Sequence, residues 1–269
     1  MKASRDISTI HKRIECWEHT KQLANMMPLP PESIKVEWLP DIVILPSDKP
    51  ITNVAIINGD TLEVAREMIS RGLNPLVLNL ADNCFPGGHV DAGSGAQEES
   101  LFRCTNLCET LNYSRLSRGT YPIHPYQAML SQNISVLKES EGNSWRQLEQ
   151  PLVLDIISCP GIRNPSCGPN GRFPDDAVEM LKKKVELIYQ TAIANGNNSI
   201  VMGALGCGAW RCPAEHVAEI MYDVTKKWAY LFKEINYAIL SGAGDGYIVN
   251  NRIGNNIEDN YVIFSRVFG

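Results

Sequence analysis

Two glutamates stand side by side at positions 98 and 99, just past a segment rich in glycine. That segment runs Pro86-Gly87-Gly88-His89-Val90-Asp91-Ala92-Gly93-Ser94-Gly95 and reaches the pair through Ala96 and Gln97. Its four glycines let a backbone approach a ligand closely and aim N–H groups at an anion. A carboxyl group beside such a cradle can deliver or accept a proton. Anion cradle and acid in one short stretch suit chemistry on a phosphate-bearing substrate.

A second glycine loop, Gly203-Ala204-Leu205-Gly206-Cys207-Gly208-Ala209-Trp210, has the same context of strand, glycines and helix. Open α/β sheets bind ligands at the carboxyl ends of their strands, where helix N-termini and free N–H groups favour anions. One such loop means little, since turns need glycine anyway. Two of them could grip the two phosphates of a diphosphate from opposite sides. Neither fits G-x-G-x-x-G or G-x-x-x-x-G-K-[ST], which disfavours dinucleotide dehydrogenases and P-loop enzymes.

The individual side chains keep two readings. Acidic residues in a first helical turn also complement the helix dipole. Successive helical side chains point about 100° apart, so Glu98 and Glu99 cannot play the same part. Burial against a ligand and repulsion between neighbouring carboxylates favour a protonated acid, and the helix terminus opposes them. Asp60, in Asn58-Gly59-Asp60-Thr61, either caps the following helix or accepts a hydrogen bond from an adenine amino group. Trp210 either joins the core or stacks on a ligand at a cleft mouth. Of the histidines 11, 19, 89, 124 and 216, only His89 lies inside a candidate site, and together they show no metal-ligand spacing.

The elements that must position these residues alternate. Ile10, Ile14, Trp17 and Leu23 predict an amphipathic helix over about residues 6–25, stopped by Pro28, Pro30 and Pro31 and followed by an irregular connection. Val54–Ile57 reads as a strand, Leu62 to Arg71 as a helix closed by Gly72, and 75–80 as the next strand. Ser94, three residues before Gln97, predicts a capping box for the helix bearing the glutamates. Further strands are expected at Asn133–Leu137, Leu152–Ile157, Ser199–Gly203 and Asn236–Leu240. One helix should start at Pro174 and end near Asn195-Gly196, and another should open at Pro213. Alternating strands and helices imply a three-layer α/β domain with a largely parallel or mixed sheet. Without a repeat or a clear linker, one domain spanning 1–269 is expected, with 1–50 as an N-terminal helical extension packed on it.

Composition narrows the class. With 269 residues, 44% hydrophobic and 20% charged, the chain can bury a sizeable core. A net charge of −5 argues against sequence-independent nucleic-acid binding, and no sequence-specific nucleic-acid partner is expected. Lys182-Lys183-Lys184 and Lys226-Lys227 suit the solvent faces of helices. No apolar run approaches the ~20 residues of a membrane span, and the N-terminus lacks a signal-peptide core, so a soluble intracellular protein is expected. Eight cysteines, at 16, 84, 104, 108, 159, 167, 207 and 212, include no C-x2-C pair. Reduced thiols packed as small hydrophobes are expected, with no metal.

Pro86-Gly87-Gly88 followed by Gln97-Glu98-Glu99 resembles the signature of poly(ADP-ribose) glycohydrolases of the compact bacterial type, built on a macrodomain. That signature is three glycines, a short spacer, then Gln-Glu-Glu. Gly203–Trp210 is similar to the family's second phosphate loop, which usually ends in an aromatic residue. Asn79-Leu80-Ala81-Asp82 resembles the strand-end segment before its glycines, and Asn58-Gly59-Asp60-Thr61 its first strand–helix junction. Tyr121-Pro122 and Asn133–Leu137 look like its middle section. The chain departs at His89, which occupies the third glycine position, and at Asp82, where the family often has Asn.

The resemblance implies a three-layer α/β/α macrodomain-like fold with a mixed central sheet and an extra N-terminal helix. It implies hydrolysis of the ribose–ribose O-glycosidic bond of poly(ADP-ribose) from chain ends, releasing ADP-ribose without a cofactor or metal. Glu99 would be the general acid, protonating the departing ribose hydroxyl and then activating water. Glu98 would hold hydroxyls of the scissile ribose, and Gln97 would orient the loop. Asp60, Asn79, Asp82, Gly87, Gly88 and His89, with Gly206, Cys207, Gly208, Ala209 and Trp210, complete the implied substrate site. Partners would be poly(ADP-ribose) or an ADP-ribosylated protein. Two rivals are a non-catalytic ADP-ribose reader of the same fold and a hydrolase of another, mono-ADP-ribosyl linkage. A thiol hydrolase using a cysteine with His89 or His124 lacks any nucleophile motif.

Overall fold

In a computed structural model, residues 7–40, 42, 52–111, 121–242, 252–253 and 256–269 are described. Along the chain come α1 (Ile7–Asn25), β1 (Ile34–Glu37), β2 (Asn53–Ile57), α2 (Thr61–Ser70) and β3 (Pro75–Asn79). Then follow α3 (Gln97–Cys104), α4 (Leu107–Thr110), β4 (Gln127–Lys138), β5 (Gln147–Ser158) and α5 (Asp175–Ala194). The chain continues through β6 (Ser199–Met202), α6 (Ala214–Trp228), β7 (Glu234–Ala238), the short pair β8 (Arg252–Ile253) and β9 (Asn256–Ile257), and α7 (Asn260–Phe268).

Seven strands form one sheet in the order β1-β4-β5-β3-β6-β7-β2. The run β5-β3-β6-β7-β2 is parallel, while β4 pairs antiparallel with β5 and β1 with β4. Period-2 side chains in the buried β3 feed both faces. Leu76 and Leu78 join the core under α5, α6 and α7, and Val77 joins the core under α1, α2 and α3. Three α/β/α layers around a mixed sheet result, as expected. Among the described residues no helix is long and apolar enough to cross a membrane.

Local chemistry explains some of the element ends. Asp60 accepts N–H groups of Leu62 and Glu63 and caps α2, and Gly72 beyond that helix takes φ +79°. Pro174 lies at the cap preceding α5, one residue outside the helix it was expected to begin. Several expectations need correction. The α3 cap is Ala96, without a side-chain hydrogen bond, so Ser94 forms no capping box. Gln97 is the first helical residue, and its amide is spent on β3 instead. The stretch read as irregular after α1 contains edge strand β1, too short to show a period of its own. Strand β4 starts six residues before Asn133, because a bulge with Asn133 at φ +56° breaks its alternation. Lys184 faces inward at 2% exposure, unlike a solvent-face lysine. Apart from these corrections, Asp259 caps α7 by accepting the Tyr261 N–H.

Helix α1 buries Arg13, Cys16, Trp17, Thr20 and Ala24, a stripe at helical spacing. Its partner surface is the candidate site's own scaffold. Trp17 packs on Phe102 of α3 and donates its indole N–H to Asp91 at 2.7 Å. Gly93 takes φ +71° under this helix, where a Cβ would come 2.7 Å from the Ile10 carbonyl. Trp17→Ala is therefore expected to cost about 3–5 kcal/mol. Thermal denaturation should show a drop of roughly 10 °C, and an unchanged midpoint would show that α1 does not brace α3.

Candidate active site

All five parallel strands end at one edge of the sheet, which gathers the loops that follow them. These are 58–60 after β2, 80–96 after β3, 159–164 after β5, 203–213 after β6 and 239–242 after β7. Helix α3 starts beside that edge. Because Asn79 shares the face of Val77, it points toward α3. Its amide donates to Ser158 on neighbouring β5 at 3.0 Å and approaches Glu98 Oε1 at 3.5 Å. Gln97 accepts the Leu80 N–H at 2.8 Å and donates to the Leu78 carbonyl at 2.7 Å and to Thr61 at 3.3 Å. One amide thus sews α3 to the end of β3 and the start of α2.

The two carboxyl groups are buried, at 4% and 5% exposure. Glu98 Oε2 accepts the Asp82 N–H at 2.7 Å, and its Oε1 accepts the Gly87 N–H at 3.1 Å. Glu99 Oε1 accepts the His89 N–H at 3.0 Å. Glu99 Oε2 is buried and has no partner among the described residues. Three oxygens hold the loop and the fourth is free.

This fit explains the glycines. Gly87 and Gly88 take φ +80° and +53°, unfavourable for any side chain. A Cβ on Gly88 would sit 2.6 Å from Glu99 Oε1, and one on Gly87 would sit 2.7 Å from the Phe102 ring. His89 has φ −110°, so the third glycine position of the motif needs no glycine here. Its imidazole is exposed. The loop's own N–H groups are spent internally, those of Gly88 and Val90 on the Phe85 and Gly87 carbonyls. That differs from an anion cradle, because the first loop aims its donors at the acids.

The second loop is the reverse. The N–H groups of Gly206, Gly208, Ala209 and Trp210 bond to no described residue. Gly206 takes φ +78°, and Gly161 packs so tightly that a Cβ on it would lie 2.8 Å from Gly206 Cα. Cys207 is buried and turns its thiol to the Leu205 carbonyl. Arg163 joins the two loops. Its guanidinium lies 5.9 Å from the half-buried Trp210 ring, and one nitrogen is 3.9 Å from Asp82 Oδ2. Asp82 Oδ1 accepts the N–H groups of Cys84 and Phe85 and closes its own turn.

Asp60 sits at the adjoining strand end with Oδ1 engaged by the α2 cap and Oδ2 free of bonds to described residues. Burial pushes its carboxyl up. Arg163, Gly161 and Ser158 were not anticipated. A lone Ser at a strand's last position, or a lone Gly or Arg beyond it, carries no spacing signal, although the run after β5 starts at the same edge. The Tyr121 hydroxyl is buried near Ser158, without an ordinary hydrogen-bond partner. Six of the eight free cysteines are buried.

Residues 16–139 match the family described as microbial-type PARG, catalytic domain. The chain resembles the microbial-type poly(ADP-ribose) glycohydrolases. Three solved structures share the fold. The glycohydrolase of Thermomonospora curvata is 19% identical with a TM-score of 0.75, covering 96% of this chain and all of that one. The same enzyme bound to the inhibitor ADP-HPD is 18% identical at TM-score 0.72, covering 95% and 99% of the two chains. The glycohydrolase of Deinococcus radiodurans, in complex with ADP-ribose, is 20% identical at TM-score 0.64, covering 80% and 84%. No curated protein matches the chain.

Burial lifts the Glu98 carboxyl well above its ordinary value of 4.5; the Asp82 N–H pulls it back, and the Glu99 carboxylate adds to the rise. Folding therefore favours neutral Glu98. This stability is complete below the unfolded-chain value and is lost as pH rises through the folded one. A ¹³C-carboxyl titration should place the Glu98 midpoint above 4.5. A midpoint at or below that value would mean that the backbone donors outweigh burial.

Proposed function

We infer that this chain hydrolyses the ribose–ribose O-glycosidic bond of poly(ADP-ribose) and releases ADP-ribose from chain ends. The observation that carries this reading is the unpartnered, buried Oε2 of Glu99 beside three carboxyl oxygens already held by the loop. An acid fixed through one oxygen presents the other at a defined place, as proton transfer requires.

In this reading Glu99 Oε2 gives its proton to the bridging oxygen of the departing ribose. The glycosidic C–O bond breaks, the electron pair stays with that oxygen, and an oxocarbenium-like sugar remains. The Glu99 carboxylate then takes a proton from water, whose oxygen closes on the sugar carbon, and the acid is restored. Glu98 holds the loop and offers its remaining lone pairs to ribose hydroxyls. The diphosphate lies on the free N–H groups of Gly206, Gly208, Ala209 and Trp210, where Gly87 and Gly88 let the first loop come close. Trp210 covers one side, Asn79 and Asp82 meet the ribose, and Asp60 Oδ2 is open to an adenine amino group. His89 lines the rim, and Cys207 supports the second loop from within.

The chain works as one domain over 1–269, a reading supported by the packing of α1 on α3. Eight unpaired cysteines suit a reducing, intracellular setting. A non-catalytic reader would need the phosphate contacts but not a buried acid with a free oxygen.

The test is incubation with labelled poly(ADP-ribose) and, separately, with mono-ADP-ribosylated protein. Wild-type protein should release ADP-ribose from the polymer, and release from the monomer alone would favour the other linkage. Glu99→Gln should lower release on the order of 10³-fold, with ADP-ribose affinity by calorimetry within about threefold. Undiminished release by that variant would remove Glu99 from the acid's place.

A further inference from the structure

We infer that Arg103 is a positioning residue of this reaction, whose buried guanidinium clamps the far end of the glycine-rich loop and sets a fixed positive charge behind the two glutamates. The inference rests on the proposed hydrolysis. Arg103 lies one helical turn beyond Glu99, on the same stretch of α3, where i and i+4 side chains are neighbours. It is 0% exposed. Its Nη1 donates to the Ser94 carbonyl at 2.6 Å, while Nε and Nη2 are buried without a partner among the described residues.

A guanidinium in that state is costly, and an apolar side chain of similar volume would serve packing better. What the charge does gain is place. Asp82, Gly87 and His89, in the first half of the loop, are held by the glutamates, and Arg103 holds Ser94 near its end. Helix α1 closes the outside, since Thr20 and Cys16 both donate to the Arg103 carbonyl. The guanidinium is shut in behind the acids.

The charged and titratable groups around it are few. Glu99 lies on its own helix, with Glu98 beside it and Asp82 and Tyr121 toward the strand ends. Arg13 of α1 is paired with Glu141 at 2.9 Å, the buried Lys138 of β4 donates to the Cys16 carbonyl at 2.8 Å, and Cys104 is buried next in sequence. Burial pulls Arg103 down, opposed mainly by Glu141 and also by Glu99. A fixed cation there favours the anion that Glu99 becomes once its proton has gone. Removing the charge should slow proton donation, so that kcat falls while substrate binding holds.

The experiment compares full-length wild type, Arg103→Met and Arg103→Lys on poly(ADP-ribose) across pH, with amide hydrogen exchange over 88–94. Arg103→Met should lower kcat about tenfold or more and leave KM within about threefold. Arg103→Lys should keep kcat within about threefold of wild type, because the charge remains. Its loop amides should exchange about tenfold faster, because the Ser94 clamp is lost. A folded Arg103→Met protein with wild-type kcat overturns the inference alone. If that variant does not fold, Arg103→Lys decides: wild-type exchange with wild-type kcat overturns it. No release by wild type overturns the proposed function and, with it, this role.

Discussion

The site depends on two carboxyl groups capturing a loop's backbone N–H groups. Glu98 and Glu99 enter α3 in consecutive positions, and between them they bind the N–H groups of Asp82, Gly87 and His89. Intramolecular hydrogen bonds contribute about 0.5–1.5 kcal/mol each, and three together are enough to fold a glycine-rich segment into one shape. The loop and the acids therefore specify each other. The conformations of Gly87 and Gly88 matter because a side chain at either would strike the groups that hold the loop.

Everything else in this half of the molecule keeps that arrangement in register. Period-2 alternation in β3 sends Leu76 and Leu78 to one core and turns Asn79 to the acids on the other face. Gln97 binds backbone on both sides of Asn79, so the start of α3 cannot slide along the strand end. Trp17 reaches Asp91 across the top of Phe102, which makes the N-terminal helix part of the site's frame. The two glycine loops divide the work: the first spends its donors on the acids and on its own carbonyls, and the second leaves four of them without a partner among the described residues. Arg163, between Asp82 and Trp210, connects the two.

Much of this was legible in residue order. The alternation of β-branched runs with amphipathic stretches set out the parallel strands and the helices α2, α5 and α6. The pairing of glycines with Gln97-Glu98-Glu99 marked the candidate site and a family resemblance. Pattern could not reveal which way backbone donors point, so the first loop looked like an anion cradle. Ser94 seemed a cap because spacing cannot tell where a helix begins when Gln97 prefers to bond a strand. Strand β1 was too short to show its period, and the bulge at Asn133 hid half of β4. Lys184 and Arg103 follow polar surface patterning in sequence and yet are buried. Asp60 caps α2 through one oxygen, and its other oxygen has no bond to a described residue.

The central claim is spatial: one carboxyl oxygen stays free because the other three are occupied. It is tested most directly by a crystal structure of the wild-type protein with ADP-ribose. The account predicts Glu99 Oε2 within about 3.2 Å of a hydroxyl of the terminal ribose, with the His89 N–H still on Oε1 and the diphosphate against Gly206–Trp210. A nucleotide bound away from that strand edge, or a Glu99 carboxyl turned from the sugar while the loop stays closed, would contradict it.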